Sequence, residues 1–291
     1  MSALAGPWRL LAEGADTGVA NMAEDVAILQ GDGPLPSLRL YTWDVPTLSL
    51  GYSQDADAVV DFARADALGV PVVRRPTGGG AVLHDGSLEV TYSVVADEAG
   101  LPASVVDAYR LIATALVAAL EDLGIEAQLS PTVVAAADRT AVCFESASRY
   151  ELLVGGRKTV GSAQCRRGGR VLQHGAVPLR LDPGRAVAAL RADDHARLAE
   201  RLSRHAAGLE DAAGRPLRPE AVRRALVSGF ERALGARFSP GGLTPGEAAL
   251  RRRLSQSGVF GPLRPGGARP ARAPLEAAAV GEGAAPCASS R

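Results

Sequence analysis

Arg74-Arg75-Pro76-Thr77-Gly78-Gly79-Gly80-Ala81-Val82-Leu83-His84-Asp85 is the stretch on which the fold of this chain turns. Three consecutive glycines weaken a strand, because each loses more backbone freedom on ordering and offers no side chain to pack. Yet β-rich sequence flanks them, Val70-Pro71-Val72-Val73 before and Leu88-Glu89-Val90-Thr91-Tyr92-Ser93-Val94-Val95 after. Glycines persist in such a setting where a ligand must approach the backbone closely. Arg74 and Arg75 supply charge for a carboxylate, phosphate or pyrophosphate. No helix follows the glycines, so this is not a dinucleotide-binding fingerprint. The reading is strand, glycine loop, strand, among neighbouring antiparallel strands.

Working outward toward the N-terminus, Val59–Ala67 reads as a short helix. Thr47–Tyr52 and the alternating Ser37–Trp43 read as strands joined by a turn at Asp44-Val45-Pro46. Before the breaker cluster Gly31-Asp32-Gly33-Pro34 lies a helix with Met22, Ile28 and Leu29 on its apolar side and Asp25 facing out. Trp8–Leu11 is a first strand.

Working toward the C-terminus, Ala103–Leu123 is the clearest helix. Val105, Tyr109, Ile112, Leu116, Leu120 and Leu123 fall on one face, and Gly124 stands where a left-handed cap costs least. Ser130–Thr140 reads as a loop. Tyr150–Val154, Arg157–Gln164 and Val171–Leu179 read as strands, with Gly155-Gly156 as a hairpin turn. Ala186–Ser203 and Pro219–Leu234 are arginine-rich amphipathic helices with solvated cationic faces. After Gly241 the periodicity fades, and residues 262–291 are rich in Pro, Gly, Ala and Arg. Such a segment buries too little apolar surface to offset its ordering entropy. The expected organisation is a domain over residues 1–240 and a low-complexity, disordered tail over 241–291.

Lys158 is the chain's only lysine; Lys and Arg total 32, which leaves 31 arginines. Arg and Lys are interchangeable where a solvated charge is enough, but not where a compact ammonium must fit a tight site. Lys158 is therefore a functional candidate. Cysteine is scarce. Cys143, Cys165 and Cys287 are odd in number and lack C-x-x-C spacing, which fits a reducing cytoplasm and disfavours a disulfide framework or a zinc site. Cys143 and Cys165 both compete as nucleophiles near Lys158. His84 and His174 are each expected to brace a loop.

Net charge is +0, which argues against a broad nucleic-acid footprint. No apolar run is long enough to span a membrane, and the N-terminus carries no signal-peptide pattern.

The stretch from Arg74 to Asp85 resembles the R-R-x-x-G-G-G-A-x-x-H-D signature of the lipoate–protein ligase and octanoyltransferase superfamily. Gly156-Arg157-Lys158 with Gly161-Ser162-Ala163-Gln164 is similar to that superfamily's lysine segment, Gln173-His174-Gly175 to the segment after it, and Asn21-Met22-Ala23 with Asp25 to its first helix. The match runs in order over about residues 8–182. Val142-Cys143-Phe144 followed by Tyr150-Glu151 is similar to the cysteine-dependent octanoyltransferases that act on the glycine cleavage H protein.

The resemblance implies an α/β (α+β) fold of the biotin/lipoyl protein ligase type, a mixed, largely antiparallel sheet with packed helices. It implies a catalytic pair, Cys143 as acyl-bearing nucleophile in preference to Cys165 and Lys158 as donor to the acyl carbonyl. It also implies substrate contacts from Arg74, Arg75, Gly78, Gly79, Gly80, Ala81, His84, Gly161, Ser162, Ala163, His174 and Gly175. The implied reaction moves octanoyl from acyl carrier protein to a lysine of a lipoyl-accepting protein, such as the H protein or a 2-oxoacid dehydrogenase lipoyl domain. It uses no cofactor or metal and is carried out by a monomer. The alternatives are an ATP- and Mg-dependent lipoate–protein ligase, a lipoyl-domain amidotransferase, and a non-catalytic lipoyl-domain or acyl-binding protein. The superfamily's C-terminal aromatic motif has no recognisable counterpart, so the element closing the domain is left open.

Overall fold

The structure is a computed structural model that describes residues 4–86, 88–130 and 151–266. Its first half contains β1 (Gly6–Asp16), α1 (Gly18–Gln30), β2 (Ser37–Trp43), β3 (Thr47–Leu50), α2 (Ala56–Val59), α3 (Phe62–Ala67), β4 (Val72–Arg74), β5 (Val82–His84) and β6 (Glu89–Asp97). Then come α4 (Val105–Asp122), β7 (Gln128–Leu129), β8 (Leu152–Val154), β9 (Arg157–Arg167) and β10 (Arg170–Pro178). The remainder is mostly helical: α5 (Pro183–Val187), α6 (His195–His205), α7 (Leu209–Ala213), α8 (Pro219–Leu234), β11 (Ala236–Pro240) and α9 (Pro245–Gln256).

Among the described residues the strands form two sheets. The larger runs β11-β1-β2-β6-β10-β9-β8-β7 and the smaller β4-β3-β5. The large sheet is mixed: β1 pairs parallel with both β11 and β2, and β2-β6-β10-β9 is antiparallel. The expected α/β class and mixed sheet with packed helices hold.

Alternation on the strands sorts the core. One face of the large sheet carries Leu38, Leu40, Val90, Tyr92, Val94, Val171 and Val177, and packs against α4 and α8. Ile112, Leu116 and Leu120 supply the α4 ridge, with Val222, Leu226 and Phe230 opposite on α8. Gly229 lets the two helices meet, since a Cβ there would lie 2.3 Å from the Ala115 carbonyl. The other face takes α1 and the small sheet, and between them lies the site.

Two expectations fail. Asp25 does not face solvent; it is fully buried under α1. The amphipathic reading of α1 assumed one wet side, but both sides are covered, by the sheet and by α9. The chain also does not lose structure at Gly241. Thr244 caps α9 through a capping box with Glu247, and Leu250 and Leu254 pack on Met22, Val26 and Tyr41. Phe260 is buried in the same cluster, and Leu263 N donates to the Val72 carbonyl beside β4. Residues 245–263 therefore close the domain where the aromatic motif was sought. The expectation of disorder over 267–291 falls outside the described residues.

Candidate active site

A narrow cleft lies between α1, the small sheet and the β9–β10 end of the large sheet. Its void, counted out to the mouth, is about 380 Å³. Met22, Tyr41, Trp43 and Val82 give it an apolar wall, and Gly161, Gly175 and Ala176 a smooth floor. The floor needs its glycines, because a Cβ on Gly175 would sit 2.7 Å from both the Gly161 carbonyl and the Ser162 hydroxyl.

Of the predicted contacts, Arg75, His84, Gly161, Ser162, Ala163, His174 and Gly175 line the cleft. Arg74, Gly78, Gly79, Gly80, Ala81 and Lys158 are not among its lining residues. The two arginines divide their labour. Arg74 Nη1 donates to the carbonyls of Gly51, Tyr52 and Gln54 at 3.0, 3.1 and 2.8 Å, so it braces the loop after β3. Arg75 donates from Nη2 to the carbonyls of Gly78 and Gly80, at 2.7 Å each, and from Nη1 to Ser49. It shapes the glycine loop and also faces the cleft. Gly79 adopts φ 96°, in the left-handed region. Its carbonyl lies 2.0 Å from where a Cβ on Gly51 would stand, so Gly51 is required for the loop to close.

Both histidines are clamped. His174 Nδ1 lies 2.8 Å from Asp25 Oδ2, and its Nε2 lies 2.7 Å from Thr77 Oγ1. A carboxylate only accepts, so Nδ1 carries the proton and Nε2 receives the Thr77 hydroxyl. Asp25 also takes Arg39 Nη1 at 2.9 Å and the Tyr41 hydroxyl at 3.1 Å. Burial raises the Asp25 pKa, but the His174 hydrogen bond and the Arg39 charge outweigh it and hold the carboxyl below its usual range. Burial likewise pushes the His174 pKa down, and this prevails over the pull of Asp25. The two shifts are consistent because Arg39 already balances the Asp25 charge. His84 stacks on Trp43 with centroids 4.0 Å apart, and its nitrogens reach Ser49 and Glu89 at 2.8 Å each.

Lys158 is buried at the start of β9, with Nζ 2.7 Å from Glu151 Oε1. A register shift places it: Leu152 faces Val160 while Leu153 faces Lys158, so Thr159 is an extra residue. Such a bulge re-aims the side chains on either side of it. Gly161, three residues on, is already in the cleft floor, about 10 Å along the strand. Cys143 lies outside the described residues. Cys165 is partly buried on β9, and burial pushes its thiol up to about 11.

Sequence reasoning named Met22 only within the first-helix segment and passed over Tyr41, Trp43, Ser49 and Thr91 as wall residues. Trp43 alone carried a signal, as one of two tryptophans in a chain with 4% aromatics.

The family model for the lipoyl protein ligase A/B catalytic domain matches residues 19–231. The chain belongs to the lipoyl protein ligase A/B family. Within that family it is 47% identical over 262 residues to the octanoyltransferase LipM of Kyrpidia tusciae, covering 85% of this chain and 94% of the relative. It is 41% identical over 258 residues to LipM of Moorella thermoacetica, covering 85% and 93%. Among solved structures it is similar to a lipoate–protein ligase A bound with ATP, with a TM-score of 0.71 at 26% identity over 86% of this chain and 94% of the other. The bipartite lipoate protein ligase of Thermoplasma acidophilum, whose structural analysis included its E2 lipoyl domain, gives a TM-score of 0.71 at 26% identity over 86% and 92%.

Proposed function

We propose that this chain is an octanoyltransferase that moves an octanoyl group from acyl carrier protein to a lysine of a lipoyl-accepting protein, such as the glycine cleavage H protein. The observation that carries the reading is the 47% identity to an octanoyltransferase over nearly its whole length, against 26% to the ATP-bound ligase. The cleft supports it: an apolar wall and a glycine floor suit an unbranched aliphatic chain. Cys143 attacks the donor thioester and carries the acyl group. The high pKa of Cys165 favours this assignment, since a thiol held at about 11 is almost wholly protonated at neutral pH. Lys158, the chain's only lysine, offers a compact ammonium as the donor to the developing oxyanion. ATP, metal and nucleic acid play no part, and the reaction takes place in the cytoplasm. Among the described residues no helix is long and apolar enough to cross a membrane.

The test mixes purified protein with octanoyl-acyl carrier protein in the absence of ATP and measures its intact mass. A gain of one octanoyl group mapping to Cys143 is expected. Mapping to Cys165, or no gain without ATP, overturns the reading. The likeness to an ATP-bound ligase favours a second reading, an ATP-dependent lipoate ligase. Lipoate-dependent ATP–pyrophosphate exchange that survives Cys143→Ala would decide for it.

A further inference from the structure

A thioester donor has two sides, and the cleft accommodates one of them. The cleft is shut at α1, where His174 is clamped to the fully buried Asp25. An aliphatic chain lying there directs its carbonyl the other way along β10, from His174 through Gly175 to Ala176. Ala176 stands opposite Gly161, and Lys158 lies three residues further along β9 in the same direction. The path does not stop at Ala176. A second void, about 430 Å³ counted out to its mouth, has Ala176 in its lining too. It continues on the same face of the large sheet. Thr91 pairs with Ala176 in the cleft, and Glu89 pairs with Pro178 in the second void, about 7 Å further along the strands. Strand β5 divides the two, with Val82 and His84 lining the cleft and Leu83 and Asp85 lining the void.

The second void has its own chemistry. Leu83, Leu88, Pro178, Leu181 and Ala186 give it an apolar stem, and Arg180 and Arg185 stand in the same lining. The Arg180 side chain is 65% exposed and that of Arg185 51%, so both cations reach solvent at the mouth. Three carboxylates share the void, and each is engaged. Asp85 takes Arg185 Nη1 at 2.6 Å. Glu89 accepts from His84 and Thr91 on the cleft side. Asp182 accepts from the Arg185 backbone N–H at 3.0 Å and so caps α5. Arg180 Nε lies 3.5 Å from Glu210 Oε2, a loose pair at an exposed site that another anion can replace with little loss. The surface therefore suits a narrow ligand with a neutral stem and one anionic end.

We propose that the second void holds the phosphopantetheine arm of the acyl carrier protein, with its phosphate at Arg180 and Arg185, an assignment that rests on the octanoyl-transfer reading. The arm bears the acyl group as a thioester at one end and a phosphodiester at the other, with methylenes and neutral amides between. Seated in this way, its sulfur falls at the junction beside Ala176. The octanoyl chain runs into the cleft toward α1, and the phosphate faces solvent, where the carrier protein is attached. A guanidinium has five N–H donors, so Arg185 keeps Asp85 and still meets the phosphate, while Arg180 exchanges Glu210 for it.

The test uses thioethers, which bind but cannot donate an acyl group. S-octyl-phosphopantetheine, S-octyl-pantetheine (which lacks the phosphate) and octanoate are each titrated calorimetrically. Wild type should bind the phosphorylated thioether about tenfold tighter than the unphosphorylated one, the worth of a hydrogen bond to a charged group. Arg180→Ser should erase most of that ratio, and salt at about 1 M should shrink it in wild type. Leu83 lines the void and not the cleft, so Leu83→Trp should weaken S-octyl-phosphopantetheine about tenfold more than it weakens octanoate. Ala186→Phe fills the same void from α5 and replaces Leu83→Trp if that variant does not fold. Equal affinity for the two thioethers in wild type overturns the site, as does a Leu83→Trp loss that is the same for thioether and octanoate. ATP binding that Leu83→Trp abolishes, with no preference for the phosphorylated thioether, overturns it in favour of a nucleotide. A wild type that shows the full binding pattern yet never gains an octanoyl group without ATP upholds the site and defeats the transferase reading alone.

Discussion

Lys158 shows what one residue's chemistry can reveal before any fold is known. An arginine-rich chain kept a single lysine, and that lysine is buried with its ammonium 2.7 Å from the Glu151 carboxylate. A forked guanidinium cannot pack there and still present one donor to a carbonyl. Lys158→Arg, which preserves charge, is expected to cut steady-state octanoyl transfer by about 10²–10³-fold, the usual cost of losing an oxyanion donor. Activity within tenfold of wild type in a direct transfer assay would defeat that role. The arginines were harder to read. Arg74 and Arg75 are adjacent and chemically identical, yet one braces a loop and the other faces the cleft. Strand alternation sends neighbours to opposite sides, but no sequence feature says which side holds the ligand. Asp25 was misread because its partners come from other elements, Arg39 and Tyr41 from β2, the next strand, and His174 from β10, 149 positions away.

At the scale of elements, α4, β9–β10 and the glycine loop were legible because periodicity and glycine placement are local signals. Helix α9 was not. It buries only two leucines, and much of its hold is ionic. Arg9 and Glu247 are 238 positions apart and form a bidentate pair at 2.6 and 2.7 Å, with both side chains buried. Gly33 permits it, since a Cβ there would lie 2.2 Å from Glu247 Oε1. Removing one partner of such a pair strands a buried charge. Arg9→Ala should therefore lower unfolding free energy by about 3–5 kcal/mol, read from urea denaturation; a loss below 1 kcal/mol would mean that water reaches Glu247. Ending the chain at residue 240, where the domain was expected to stop, should go further. It uncovers the surface under Leu250, Leu254 and Phe260, on the order of 5 kcal/mol of apolar burial. That truncation should be insoluble or show no cooperative melt, whereas ending at 266 should preserve the wild-type transition.

For the whole molecule, the buried His174 ties stability to pH. Its pKa is lower in the folded state than the ordinary 6.5, so the unfolded chain binds a proton that the native one refuses. Stability from this group is complete above pH 6.5 and is lost as pH falls from there through the folded pKa. The Asp25 carboxyl, depressed in the fold, adds a second acid loss at lower pH. Melting temperature should therefore drop as pH goes from 7.5 to 5, and His174→Gln should flatten that slope. An unchanged slope would locate the acid sensitivity elsewhere.

The large sheet closes in an unusual order for a chain made from its N-terminus. Strand β1 lies between β2, which follows it closely, and β11, which begins 230 positions after it at Ala236. During synthesis at about 5–20 residues per second, one edge of β1 waits on the order of ten seconds or more for its partner. Over that time the ribosome displays an open strand edge flanked by Trp8, Leu10 and Leu11, the kind of edge that recruits other chains. Slower translation lengthens the exposure and chaperone capture shortens it, so the yield of soluble protein from a cell depends on the last thirty residues of the domain as much as on the first.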